Sequence, residues 1–235
     1  MYQLIHKNKL TIKHILFLGL TVLCCLSFQT NANATKPPEV IILDTFNRMQ
    51  SELMMRKAEL VANPAKNTEF VYNVFEPTID WKRFSNNIFC YTVKIVKVKV
   101  GDKIKRKRIR NPACKVWARS SKNQKKAFIK EFKKESIKTY AKLVFKSEGW
   151  QIRLKPTVKS KKNIKRVTVK SELFNPGVTT SIPISYNMYL SDHWKVYNVT
   201  ANGLSMVKTY RAMYTKKIKA GGIEALTNEL RVKNP

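Results

Sequence analysis

The sequence predicts an α+β fold in which helices pack against an antiparallel sheet. Residues 194–201 alternate between two faces, as in a half-buried strand, and Asn202-Gly203 supplies a turn at its end. From Ser205 onward the apolar residues recur at helical spacing, and Gly221-Gly222 ends this helix before a short second one. The change of period within one short segment therefore predicts a helical pair beside a sheet.

The first 34 residues have the three parts of a secretory signal peptide. A lysine-containing start precedes an apolar stretch at 15–28 and the sequence Ala32-Asn33-Ala34, which is typical of cleavage before Thr35. A membrane anchor is the alternative, but the apolar stretch is short for a span. We expect residues 1–34 to be removed and residues 35–235 to form a single domain, which is long enough to bury a core.

The chain is strongly basic, with 46 Lys and Arg against 15 Asp and Glu and a net charge of +31. Such a charge predicts attraction to polyanions. Nucleic acid is one candidate, because phosphate contacts dominate its affinity for basic proteins. An anionic membrane surface is the other candidate. The alternative interpretation is that much of the excess charge serves solubility alone.

Residues 90–114 predict an inserted β-hairpin. Valines alternate with lysines from Val96 to Val100, and Gly101-Asp102 is a two-residue turn of the type with glycine first. Pairing residue 100 with residue 103 brings Cys90 and Cys114 together at the base of the hairpin. In an exported protein this arrangement favours a disulfide over two free buried thiols.

The return strand of this hairpin is too basic for either of its faces to be buried. Membrane headgroups, an acidic patch on a partner protein and nucleic acid would all fit such a strand. The side chains that we expect to contact an anionic surface are Lys103, Lys105, Arg106, Lys107, Arg108 and Arg110.

A long central helix is predicted for residues 122–147. Its apolar residues, including Phe128, Phe132, Tyr140 and Val144, share one face. Lysines spaced by four residues form a column on the opposite face. Like charges at this spacing repel by roughly 0.2–0.5 kcal/mol per pair, so the buried face must hold the helix in place.

Two further strands follow this helix. Val167, Val169 and Leu173 share one face of a strand that ends at Asn175-Pro176-Gly177, and alternate residues of 182–190 are apolar in the next strand. Alternation of this kind marks burial. It does not distinguish a filled core from the wall of a cavity, so both interpretations stay open.

Several segments together resemble the MlaC family, also called the toluene-tolerance or ABC-transporter auxiliary proteins. The strand that begins near Trp194 is followed by Gly203-Leu204-Ser205, Tyr210-Arg211 and Gly221-Gly222, which is the order of the family's C-terminal elements. Upstream, PPEVIILDTFNRM is similar to the family's opening helix and EPTIDWKRFS to its Pro-x-x-Asp-aromatic segment. The hairpin at 90–114 departs from the family pattern.

The resemblance implies helices packed on a four-stranded antiparallel sheet, as in the nuclear-transport-factor-two superfamily, with an apolar cavity between sheet and helices. It also implies a periplasmic carrier that holds the acyl chains of a phospholipid in that cavity. Combined with the strand and helix faces, it gives an expected lining of Val74, Phe75, Trp81, Phe128, Phe132, Tyr140, Val144, Val167, Val169, Ile184, Tyr186, Met188, Val199, Val207, Tyr210 and Tyr214.

The partners implied by the resemblance are an inner-membrane ABC lipid transporter with its substrate-binding subunit and an outer-membrane lipoprotein complex. The carrier would move lipid between them and so maintain the asymmetry of the outer membrane. We expect a monomer that touches anionic membrane transiently and needs no cofactor or metal, with phospholipid as cargo. The alternatives are a carrier for a hopanoid-type lipid and a secreted protein that binds nucleic acid or acidic polysaccharide.

An enzyme is the least favoured class. After the signal peptide the sequence contains a single histidine, His193, so neither a choice of Ser-His-Asp relays nor a His-rich metal site is available. Glu76 and Asp80 flank Pro77, but acid-base catalysis needs a convergent geometry that spacing does not show. Asn198 stands where many family members carry Asp.

Overall fold

Six helices, one short 3₁₀ turn and seven strands make up the described residues of the computed structural model, which are 35–90, 93–110 and 112–234. The helices are α1 (Pro38–Ala62), α2 (Pro64–Phe75), α3 (Trp81–Cys90), α4 (Pro112–Arg119), α5 (Lys122–Phe145) and α6 (Met206–Lys233). The strands are β1 (Val93–Val100), β2 (Lys103–Arg110), β3 (Gln151–Lys159), β4 (Arg166–Phe174), β5 (Ser181–Leu190), β6 (Trp194–Ala201) and β7 (Leu204–Ser205). The predicted signal peptide lies outside the described residues, and the single domain stays a prediction.

The main sheet is antiparallel throughout, in the order β3-β4-β5-β6-β7. The predicted α+β class is therefore confirmed, with five strands in place of four. The additional strand, β7, has two residues and follows a tight turn at Asn202 and Gly203. Both turn residues have positive φ, 47° and 79°, as a two-residue hairpin turn of type I′ requires.

Helix α5 begins at a capping box. The backbone N–H of Gln124 donates to Ser121 Oγ at 3.1 Å, and the backbone N–H of Ser121 donates to Gln124 Oε1 at 2.7 Å. The helix ends at Phe145, two residues before the predicted end. Its predicted apolar face is largely buried, while the lysines of the opposite column that have described side chains are exposed. The packed face therefore holds the helix, as its charge pattern requires.

Helix α6 bends at Gly222, where the sequence predicts a glycine stop. Gly222 has φ 73° and ψ −172°, a backbone conformation that is essentially confined to glycine. A Cβ atom on the preceding Gly221 would lie 2.6 Å from the Cβ atom of Ala225. The glycine pair thus lets the chain turn and lets the second helical segment pack closely.

Strands β1 and β2 form the predicted hairpin, with the predicted register from Val100 opposite Lys103 to Val93 opposite Arg110. Gly101 has φ 61°, which suits the first position of a type II′ turn. The disulfide between Cys90 and Cys114 joins the end of α3 to α4 at the base of the hairpin, as predicted.

The buried side chains fall into two separate clusters. The larger lies among the helices and contains aromatic side chains of α3, α5 and α6, among them Phe84, Phe132 and Tyr210. The smaller joins Ile42 of α1 to Val169 and other residues on one face of the sheet. The helices and the sheet thus have their own cores. In the part of the chain that the structure describes, no helix is long and apolar enough to cross a membrane.

Candidate functional site

A cavity of about 270 Å³ lies between the helices and the sheet. Both clusters contribute to its wall, so the cavity is a gap between two cores and not a defect within one. Its lining residues are Ile42, Thr45, Phe46, Met49, Val71, Phe75, Thr78, Ile79, Trp81, Phe84, Ser136, Ile137, Tyr140, Leu143, Val144, Ser147, Leu173, Ile184, Tyr186, Val196, Val199 and Met206.

Helix α1 connects the two cores along one side of the cavity. Ile42, Phe46 and Met49 follow the spacing of a helix face, and all three line the cavity. Ile42 packs with the sheet cluster, whereas Met49 belongs to the helical cluster. The position of α1 therefore controls the separation between the helical layer and the sheet on that side.

The wall of the cavity is apolar apart from a few hydroxyl groups. Among the described residues, no Lys, Arg, Asp, Glu or His side chain lines it. Burial raises the pKa of Tyr140 and of Tyr186, so both of these hydroxyl groups are neutral near pH 7. A charged group placed in this cavity would lose its hydration without gaining a counter-charge, and the site therefore suits uncharged, apolar chains.

The exposure of the lining residues indicates that the cavity opens toward solvent near the C-terminal end of α5. Leu143 lines the cavity although its side chain is 52% exposed, and Ser147 beyond the end of the helix is half-buried. Gln50 of α1 donates from Nε2 to the carbonyl oxygen of Ser147 at 2.8 Å. This hydrogen bond ties α1 to the segment after α5 at the edge of the opening.

Seven of the residues expected to line a cavity do lie on its wall. They come from α2, α3, α5 and the adjacent strands β5 and β6. These residues are Phe75, Trp81, Tyr140, Val144, Ile184, Tyr186 and Val199. Their contact with a lipid stays a prediction.

The structure places the other nine expected residues in the surrounding cores. Within the helical core, the Phe132 ring centroid lies 4.8 Å from that of Tyr210 and 5.7 Å from that of Phe128. Aromatic rings pack against one another in this region, so these side chains contribute to the core and not to the cavity wall. The nine residues off the wall are Val74, Phe128, Phe132, Val167, Val169, Met188, Val207, Tyr210 and Tyr214.

Sequence reasoning did not include α1 in the wall, although α1 supplies four lining residues. The helical spacing of its apolar residues from Ile42 to Leu53 is the signal that was available. Leu143 lies next to Val144 in α5, and its exposed position at the opening has no sequence signal. Met206, the first residue of α6, also lines the cavity, and its flexible thioether can adapt to chains of varied shape.

The two carboxylates considered for catalysis have structural roles. Asp80 caps α3, because its Oδ1 accepts from the backbone N–H of Arg83 at 2.8 Å and its Oδ2 lies 3.1 Å from Arg83 Nε. Glu76 pairs with Lys133 at 2.8 Å. His193 contacts Asp192 at 2.8 Å on the surface. Among the described residues, no cluster of His, Cys, Asp and Glu is placed to hold a metal ion.

The hairpin residues expected to contact an anionic surface are only partly described. The side chains of Lys103 and Lys105 are exposed. Arg106, Lys107, Arg108 and Arg110 are placed by the backbone of β2, and their side chains lie outside the described part of the structure.

Together, the antiparallel sheet, the covering helices and the cavity between them define an α+β protein with an internal apolar site. The sequence profile of the MlaC protein family matches residues 109–232, and the chain belongs to this family. No curated protein matches the chain significantly.

A similar solved structure is the phospholipid-binding protein from Ralstonia solanacearum, determined in complex with a phospholipid. The two chains share 20% sequence identity, and the match covers 83% of this chain and 96% of that one with a TM-score of 0.65. At this identity the likeness shows a common fold. It includes the arrangement of helices on an antiparallel sheet described above.

Proposed function

We propose that this protein is a phospholipid carrier that holds acyl chains in the cavity between its helices and its sheet. The observation that carries the proposal is a cavity with an uncharged, largely apolar wall that opens on one side. Membership of the MlaC family and the shared fold with a phospholipid-binding protein support it. We accordingly place the protein among binding and transport proteins and not among enzymes.

The wall of the cavity favours the acyl chains of a phospholipid and disfavours its charged headgroup. Each methylene group of an acyl chain that enters such a cavity gains about 0.8 kcal/mol relative to water. A phosphate group would find no cation there, so the headgroup stays at the opening near Leu143 and Ser147. Lys146 is exposed beside Ser147 and supplies positive charge at this edge.

The cavity must widen to hold a complete lipid. Its volume of about 270 Å³ is slightly below the range of roughly 300–1,000 Å³ that is usual for small-molecule sites. Since the cavity is a gap between two cores, it widens where the helices and the sheet move apart, and this movement displaces Ile42 of α1 from its packing on the sheet. Bound acyl chains then make apolar contacts with both walls of the widened gap.

The proposal extends to where the carrier works. We infer that it is exported to the periplasm and moves lipid between an outer-membrane lipoprotein complex and an inner-membrane ABC transporter with its substrate-binding subunit. The secretory pattern of residues 1–34 and the family's expected role support this placement. A carrier that holds acyl chains by many methylene contacts needs such partners to release its cargo.

Lipid transfer to delipidated protein tests the proposal. The protein is incubated with phospholipid vesicles in high salt, the vesicles are removed, and phospholipid per protein is measured in the remaining solution. Val199→Trp and Ile184→Trp place a large ring in the cavity and should remove most of the bound lipid. Val178→Trp, at an exposed position, is the matched control and should bind as the unaltered protein does.

Two results would count against a carrier. One is equal lipid binding by Val199→Trp and the unaltered protein, with circular dichroism showing that both are folded. The other is an absence of transferred phospholipid together with tight, salt-sensitive binding to nucleic acid or acidic polysaccharide. That second result would favour a polyanion-binding protein, because electrostatic binding weakens as salt rises whereas burial of acyl chains does not.

A further inference from the structure

The turn of the β1–β2 hairpin exposes two aliphatic side chains among lysines. Val100 is 53% exposed and Ile104 is 69% exposed, on either side of Gly101-Asp102. The side chains of Lys97, Lys99, Lys103 and Lys105 in the same part of the hairpin are also exposed. The end of the hairpin, residues 97–105, is thus both apolar and cationic, and we call it the hairpin tip.

The pairing of the strands places the two exposed aliphatic residues, Val100 and Ile104, on opposite faces of the hairpin tip. Val100 lies opposite Lys103, and Lys99 lies opposite Ile104, so each aliphatic residue shares its face with a lysine. Neither face of the tip can be turned toward a core of this chain without also burying a lysine. The aliphatic residues at the end of the hairpin are therefore available to contact an apolar environment outside this chain.

The positive charge of the hairpin has little internal compensation. Asp102 is the single acidic residue between positions 93 and 110, which otherwise include nine lysines and arginines. Within the described part of the chain, the lysines of the hairpin tip take part in no ion pair. Unpaired cations at this density favour an anionic surface outside the protein.

The hairpin is long and is fixed at its base. Each strand has eight residues, so the turn lies about 26 Å along the ribbon from its start. β1 and β2 pair with each other and with no other described strand. The disulfide between Cys90 and Cys114 anchors the ribbon to α3 and α4, which belong to the helical core. The tip can therefore contact a surface while the cavity and both cores stay intact.

We propose that the hairpin tip is a membrane-docking site whose aliphatic residues enter the interface of an anionic phospholipid bilayer while the lysines bind its headgroups. Lysine side chains can follow apolar surface with their methylene groups and keep the ammonium group at the headgroup level. Each basic side chain near an anionic surface strengthens binding by about fivefold. This docking does not require a lipid in the cavity, so it can be tested separately from the carrier function.

Two other anionic partners fit the hairpin tip less well. Surfaces that bind single-stranded nucleic acid usually combine cations with aromatic side chains that stack on bases, and residues 93–110 include no aromatic residue. A nucleic-acid duplex would satisfy the lysines through its phosphates but offers no hydrocarbon layer to Val100 and Ile104. An acidic protein surface would satisfy the lysines, but the exposed Ile104 and Val100 would gain little from carboxylates. A bilayer interface offers anionic groups and hydrocarbon at adjacent depths, which matches the tip.

Vesicle co-sedimentation at about 0.1 M salt tests the proposal. The unaltered protein is compared on vesicles of phosphatidylcholine alone and of phosphatidylcholine mixed with phosphatidylglycerol. A triple variant, Lys99→Gln, Lys103→Gln and Lys105→Gln, should bind the anionic vesicles on the order of 100-fold more weakly. The matched control, Lys161→Gln, Lys162→Gln and Lys165→Gln, removes the same charge from an exposed turn and should lose no more than a few-fold.

Insertion is measured by a second experiment on the same vesicles. An environment-sensitive fluorophore on Ile104→Cys should shift to shorter wavelength on binding, whereas the same fluorophore on Lys162→Cys should not. Ile104→Asn, which leaves the charge unchanged, should weaken vesicle binding several-fold.

Three results would overturn the proposal. They are equal losses by the two lysine triples, an unshifted fluorophore at position 104 on bound protein, and hairpin-dependent binding to single-stranded DNA that is tighter than binding to the vesicles. Cavity loading is measured separately by the lipid transfer described above. Failure of docking and failure of the carrier function are thus distinguishable.

Discussion

The guanidinium group of Arg211 binds the end of helix α3, where its Nε donates to the carbonyl oxygen of Ile88 at 2.9 Å. Its Nη2 donates to the carbonyl oxygen of Asn87 at 2.6 Å. Carbonyl groups in the last turn of a helix lack partners within the helix and carry its partial negative charge. The Tyr210-Arg211 pair thus joins α6 to the core through the tyrosine and to the end of α3 through the arginine.

Replacement of Arg211 should destabilise the fold. We expect Arg211→Ala to lower the free energy of unfolding by about 2 kcal/mol, because a charged donor and two hydrogen bonds are lost. Arg211→Lys should recover only part of this, since an ammonium group does not reproduce the planar pair of donors. Urea denaturation measures both. Lys216→Ala, at an exposed position of the same helix, should stay within about 0.5 kcal/mol, and an equal effect of both alanine variants would contradict this role.

Asn198 connects strand β6 to the start of α6. Its Oδ1 accepts from Ser205 Oγ at 3.0 Å and from the backbone N–H of Val207 at 3.1 Å, while its Nδ2 donates to Asn187 Oδ1 at 2.9 Å. Asn198→Ala leaves both donors without this acceptor and should cost about 1–3 kcal/mol.

Asn198→Asp is the matched control for that substitution. Asp keeps an acceptor for Ser205 and Val207 and places a negative charge at a helix N-terminus, so it should lose less stability than Ala. Thermal unfolding of the two variants compares them directly. If Asp destabilises as much as Ala, the acceptor role of Asn198 is wrong.

The disulfide should make a large contribution to stability. Cys90 and Cys114 have a sequence separation of 24, and closing a loop of this length stabilises the folded protein by about 3.5 kcal/mol on the chain-entropy model, because it lowers the entropy of the unfolded chain. We therefore expect a reducing agent to lower the denaturation midpoint of the protein. The double variant Cys90→Ala and Cys114→Ala should show the lower midpoint with or without reductant. An unchanged midpoint in protein whose two thiols have been shown to be free would contradict the prediction.

Buried tyrosines should make the protein sensitive to alkaline pH. Burial raises the pKa of Tyr210 and of Tyr214 above the usual value of about 10. At a pH between the usual tyrosine pKa and the raised pKa of the folded protein, these tyrosines ionise in the unfolded chain but stay neutral in the folded protein. The stability from the neutral buried hydroxyl groups is therefore complete below about pH 10 and is lost as the pH rises toward the folded pKa.

Urea denaturation at about pH 9 and about pH 11, with tyrosinate absorbance followed in parallel, tests this. The free energy of unfolding should fall across the interval, and Tyr214→Phe should reduce the fall relative to the unaltered protein. The comparison with Tyr214→Phe separates this effect from lysine titration, which both proteins share. An equal fall in both proteins would rule out a contribution from Tyr214.

Several elements of the fold were predictable because each of them has a local signal. Alternation specifies β4, β5 and β6, the Gly101-Asp102 turn fixes the hairpin register, and Gly221-Gly222 marks the bend in α6. The disulfide followed from that register. Strand β7 was missed because two residues are too few to show a period.

The position of the cavity was less predictable, because the same periodicity marks residues that face a core and residues that face a gap. Phe132 and Tyr140 share one face of α5, yet Phe132 packs among aromatic rings while Tyr140 lines the cavity. What separates them is the boundary between the helical and sheet clusters, which depends on how the helices and the sheet meet. No local pattern in α5 encodes that boundary.

The most direct test of the carrier function is to identify what the protein holds when it is purified. The protein is prepared from cells in high salt and extracted with organic solvent, and the extract is analysed by mass spectrometry. The proposed function predicts phospholipid in stoichiometric amount. A folded protein that is empty, and that stays empty after exposure to phospholipid vesicles, would contradict it.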